Sequence, residues 1–73
     1  MNTLERTAVR SREIAIVGYD AESLTLEIVF RRGGVYHYFT VPPELYQNLM
    51  TAPSRGTYFD QAIKSKFRYL KVR

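Results

Sequence analysis

Between Leu24 and Phe30 the apolar residues Leu24, Leu26, Ile28 and Phe30 occupy every second position, with Thr25, Glu27 and Val29 between them. A period of two places one set of side chains on a single face of an extended strand, and a helix would scatter them. The run ends in Arg31, Arg32, Gly33 and Gly34, where paired glycines reach positive φ without a Cβ clash, so a hairpin loop is expected. Upstream, Ile14 to Tyr19 is rich in β-branched residues, and Asp20, Ala21, Glu22 and Ser23 supply turn chemistry before the alternating run. Downstream, a third strand should run from Val35 to about Val41. Its two faces are Val35, His37, Phe39 and Val41 on one side and Tyr36, Tyr38 and Thr40 on the other, with Tyr36 and Tyr38 expected to lean on the helices that follow.

Prolines then change the structure. Val41 and Pro42 each precede a proline and are driven towards extended conformations, which ends the strand, and Pro43 suits the first turn of a helix. Leu45 and Leu49 form that helix's buried stripe, helped by Tyr46 and Met50, and it stops before Pro53. Ser54, Arg55 and Gly56 make the connection, with Ser54 suited to turn geometry and capping. Thr57 and Asp60 have capping-box-like spacing, which starts a second helix near Tyr58. On a helical wheel Phe59, Ile63, Phe67 and Leu70 fall within about 80° of one another, and Lys64, Arg68 and Lys71 cluster on an adjacent flank. Lys66 falls inside the apolar arc, so irregular geometry is expected after about Ser65. The fold class predicted is α+β: a three-stranded antiparallel meander followed by two short helices. Residues 1–8 lack periodicity and are expected to be a flexible arm; residues 9–73 make a single domain.

A chain of 73 residues buries only roughly 60% of the surface its unfolded form exposes, which leaves little core to hollow out for an enclosed pocket. Cysteine is absent, so there is no disulfide, no thiolate nucleophile and no cysteine-based zinc site, and a reducing, cytoplasmic setting is expected. The apolar runs are far shorter than the ~18 residues that span a bilayer, and Asn2 to Arg6 lack the apolar centre of a signal peptide. The net charge is +4. In residues 1–42 the five basic side chains (Arg6, Arg10, Arg12, Arg31, Arg32) are matched by five acidic ones. In residues 43–73 Arg55, Lys64, Lys66, Arg68, Lys71 and Arg73 face only Glu44 and Asp60, so the whole excess lies there and a polyanion should be drawn to it.

The ordered residues resemble the KTSC domain, a short bacterial and phage family named for its occurrence at the C-terminus of some lysyl-tRNA synthetases. The matching stations are Val9, Ser11 and Ile14; Val17-Gly18-Tyr19-Asp20; Leu24 to Phe30 leading into Gly34-Val35-Tyr36; Tyr38, Val41-Pro42 and Tyr46; and Ala52, Ser54, Gly56, Tyr58-Phe59 and Ile63. Arg12, Asp60 and Arg68 depart from the family's usual serine, asparagine and proline. The resemblance implies a β-β-β-α-α fold and, through attachment to a synthetase, a role near RNA.

The leading functional expectation is a small non-enzymatic module that contacts RNA or single-stranded nucleic acid. Arg55, Lys64, Lys66, Arg68, Lys71 and Arg73 would neutralise phosphates while Tyr58 or Tyr69 stacks on an unpaired base. The rival is a protein-interaction module that uses the exposed sheet face or an edge strand. His37, the single histidine, has no thiol or carboxylate at zinc-ligand spacing and is read as a cross-strand or surface residue. No catalytic residue, metal or other cofactor is expected. The remaining tyrosines are read mainly as core or boundary residues, Arg31 and Arg32 either as a second phosphate contact or as a charged hairpin tip that discourages edge pairing, and Asp20 and Asp60 as acceptors of backbone N–H groups in turns.

Overall fold

In the computed structural model, which describes residues 4–73, one antiparallel sheet carries five strands in sequence order. They are β1 (Glu5–Ala8), β2 (Ile14–Asp20), β3 (Thr25–Phe30), β4 (Val35–Tyr38) and β5 (Tyr69–Lys71), with α1 (Pro43–Thr51) and α2 (Arg55–Ala62) between β4 and β5. The α+β class stands, but the sheet has two more strands than the three-stranded meander expected. Both additions are edge strands whose residues are all exposed, β1 beside β2 and β5 beside β4. An edge that buries no side chain has no apolar alternation to betray it. Residues 1–3 of the expected arm lie outside the described residues, whereas Glu5–Ala8 pair with Tyr19 to Ile16.

The 24–34 pattern gives the hairpin as expected. Phe30 N–H donates to Gly34 O at 3.1 Å and Gly33 N–H to Phe30 O at 3.0 Å, and Gly33 and Gly34 take φ of 110° and 94°. Asp20 fixes the preceding turn by accepting Glu22 N–H at 3.1 Å and the Ser23 hydroxyl at 2.8 Å. A bulge between Ile14 and Ile16 changes the parity of β2, so that Ile14 and Val17, an odd number of residues apart, both enter the core.

Directly opposed residues share a face. One face holds the rows Glu5–Tyr19–Leu26–Tyr38–Tyr69 and Thr7–Val17–Ile28–Tyr36–Lys71. Both helices pack on it: Tyr46 of α1 stacks on Tyr19 with ring centroids 4.5 Å apart, and Phe59 of α2 meets the edge of Tyr38 at 5.2 Å. Between sheet and helices Ile14, Val17, Leu26, Ile28, Tyr38, Val41, Leu49, Phe59 and Ile63 form the core.

The second helix differs from its wheel. It begins at Arg55 rather than near Tyr58, because Ser54 is the N-cap, its hydroxyl accepting Thr57 N–H at 3.3 Å. It ends at Ala62, where Ile63 and Lys64 both donate to Phe59 O, at 3.0 and 2.9 Å, and the chain unwinds. Phe59 and Ile63 are buried as expected and Phe67 is half-buried, but Leu70 has swung into β5 and is 57% exposed. A basic helical flank of Lys64, Arg68 and Lys71 therefore does not exist.

Candidate nucleic-acid interface

The open end of the helix-side face holds a groove of about 980 Å³ between β4, β5, the Gly33-Gly34 hairpin and the turn that follows α2. Its aromatic lining is continuous. Tyr36 and Tyr38 lie two residues apart on β4 with centroids 6.4 Å apart, and Tyr69 of β5 covers both at 5.8 and 5.5 Å. Phe30 meets Tyr36 edge-on at 5.5 Å. Tyr69 is 58% exposed, so one ring of the cluster offers a free face to solvent. Burial, and then the neighbouring Tyr36, Tyr69 and Asp60, push the Tyr38 phenol up to about 12, so its hydroxyl stays protonated and adds no negative charge to the lining.

Around these rings stand Arg12, Arg32 and Lys64, with Glu13 the one carboxylate. Lys71 lies opposite Tyr36 in register, its Cε 3.8 Å from where a side chain on Gly34 would begin. Among the described residues the Arg6–Glu27 ion pair and the His37–Glu27 contact both lie outside the groove, so no cation of the groove is neutralised by a direct salt bridge.

The expected residues separate into those the fold brings together and those it does not. Lys64 and Tyr69 line the groove, and Lys71 lies beside it, opposite Tyr36 in register. Arg55 does not: its Nη2 donates to Met50 O at 2.8 Å, closing the last turn of α1, and its Nε is buried. Tyr58 is half-buried against the core. Arg68 accepts Phe39 N–H through its carbonyl at 2.9 Å, and Arg73 accepts Val35 N–H at 2.9 Å, which ties their backbones beside β4. Lys66 is exposed in the turn between α2 and β5. Arg12, Arg32, Tyr36 and Tyr38 were missed as a group. The signal available was the Tyr36/Tyr38 spacing of two next to a basic hairpin tip; nothing local connects Arg12 to them. Arg31, by contrast, is a clamp, donating to Ser11 O at 2.6 Å and Val9 O at 3.0 Å.

A second polar cluster lies on the opposite face. Arg6, Gly18, Glu27, His37 and Leu70 form one row across all five strands. Glu27, 2% exposed, accepts from Arg6 Nε at 2.6 Å and lies 2.8 Å from His37 Nε2. A carboxylate only accepts, so His37 carries its proton on Nε2. The Arg6 hydrogen bond holds the Glu27 carboxyl below the usual carboxylate range; burial opposes this and His37 assists. His37 is thus a cross-strand residue. Among the described residues no three metal-ligating side chains gather, and no helix is long and apolar enough to cross a membrane.

Comparison with known proteins places this arrangement. The KTSC domain model matches residues 10–67, from the segment before β2 to the turn before β5. The chain belongs to the KTSC domain family. A crystal structure of a KTSC domain protein from Yersinia pestis superposes on this KTSC domain with a TM-score of 0.94 at 42% identity, covering 97% of this chain and all of that one. An uncharacterised protein of Stutzerimonas stutzeri is 39% identical over 70 residues, which is 94% of this chain and 99% of that protein. A lysine–tRNA ligase of Nostoc punctiforme is 45% identical over 51 residues, 70% of this chain but 9% of the ligase.

Proposed function

We propose that this KTSC domain is a non-enzymatic module that binds RNA or other single-stranded nucleic acid in the groove of Phe30, Tyr36, Tyr38 and Tyr69. Bases stack on the exposed ring of Tyr69, and phosphates meet Arg12, Arg32, Lys64 and Lys71. The observation that carries the reading is the coincidence of an aromatic lining with unneutralised cations around it. Stacking is indifferent to base identity, because every base has a π-face, and cations track the backbone, so weak sequence preference follows. That lysine–tRNA ligases carry a related segment agrees with a setting near RNA. The reading assigns no catalysis to the domain, and its one histidine, bonded to Glu27, lies on the other side of the sheet from the groove.

The test is a titration of a labelled oligouridine. With four phosphates engaged, affinity should fall about 50-fold between 50 and 200 mM salt. The R12E/R32E/K64E variant should lose binding with an unchanged circular dichroism spectrum, and Tyr69→Ala should cost about 1–3 kcal/mol of stacking. Absence of binding at low salt, or a salt-insensitive complex, overturns the proposal.

A further inference from the structure

The two edges of the sheet are unlike. β1 presents Glu5, Arg6, Thr7 and Ala8, with no large apolar side chain. Along β5 and the residue after it stand all three of the exposed large hydrophobic residues among the described residues, Tyr69 at 58%, Leu70 at 57% and Val72 at 37%.

The ladder shows which backbone groups remain available. Phe39 N–H bonds Arg68 O, Val72 N–H bonds Val35 O and Val35 N–H bonds Arg73 O, so β4 holds the segment from 68 to 73 through residues 68, 70 and 72 and the end of the chain. In an antiparallel pair, residues between the bonded pairs point their N–H and C=O the other way. Those of Tyr69 and Lys71 therefore face outward at the edge. Lys66, Arg68, Lys71 and Arg73 surround this edge, and among the described residues none forms an ion pair. The concentration of cations disfavours pairing with a second copy of the same edge and favours an acidic partner.

We infer that the β5 edge is a docking site for an acidic, extended polypeptide segment of another protein, added as a sixth antiparallel strand. The segment exchanges hydrogen bonds with Tyr69 and Lys71, lays alternate apolar side chains on Leu70 and Val72, and sets its carboxylates against Lys66, Arg68 and Arg73. The edge shares Tyr69 and Lys71 with the groove but uses their backbone groups, whereas the groove uses their side chains together with Arg12, Arg32 and Lys64, so substitutions at those three cations tell the two proposals apart.

The experiment uses the full chain, isotopically labelled, with two short peptides of equal charge, one alternating glutamate with valine and one alternating glutamate with proline. The valine peptide should bind and slow amide exchange at Tyr69 and Lys71. The proline peptide, which cannot complete a ladder, should bind at least about tenfold more weakly. Lys71→Pro removes an outward N–H that β4 does not use and should abolish valine-peptide binding. Leu70→Ser, a milder change on the opposite face from the groove, should weaken it. The R12E/R32E/K64E variant should still bind the valine peptide. Equal affinity for both peptides reduces the interaction to bulk charge and overturns the inference, as does protection that falls on β1 or no binding of either peptide.

Discussion

A methyl group added at Gly18 would begin 3.2 Å from Arg6 Cγ and 3.4 Å from Glu27 Cβ. The residue is a glycine because the Arg6–Glu27 bond passes directly over it. Gly18→Val should therefore cost about 1–3 kcal/mol by overpacking, read as a lower urea midpoint at unchanged slope. The acid side of the stability profile follows from Glu27. Its carboxyl is more acidic in the folded chain than in the unfolded one, chiefly through Arg6. Such a group contributes stability that is complete above the unfolded pKa and is lost as pH falls through the folded one. Urea midpoints measured across the acid range should fall for the native chain, and Glu27→Gln should lower the neutral-pH midpoint while shrinking that fall.

At the scale of elements, the C-terminal segment shows where sequence reasoning stops. Phe59 and Ile63 keep helical spacing with Phe67 and Leu70, and the wheel extends the helix through all four; in the fold it unwinds after Ala62 because residues 68–73 find ladder partners on β4. Long-range pairing overrides local periodicity, and no single window contains both partners. The β2–β3–β4 meander and α1 were legible because each buries a face, as was Ser54 as a cap. Part of the groove was legible too, through Lys64 and Tyr69 with Lys71 beside them, whereas Arg12 reaches it only by tertiary contact. A substitution separates the two geometries: Arg68→Pro would cost about 3 kcal/mol inside a helix, but in the extended segment before β5 its effect on thermal unfolding should stay within about 0.5 kcal/mol.

For the molecule as a whole, a domain of this size has roughly 4–11 kcal/mol of stability to lose. Phe59 joins the helices to Phe30 and Tyr38 at centroid distances of 5.7 and 5.2 Å. Phe59→Ala should cost about 3–5 kcal/mol, enough to leave a measurable unfolded population at ambient temperature. Because the sheet runs β1 to β5 in sequence order, each strand meets its predecessor across a short turn, and only β5 must wait for both helices before it can pair. Joining distant parts of a chain is slow, and an edge held on one side is the first to fray. Tyr69 and Lys71 belong to that strand, so the wall of the groove is also its most easily opened seam, and a guest lying across it would act as a rivet, arresting the breathing of the chain's last segment.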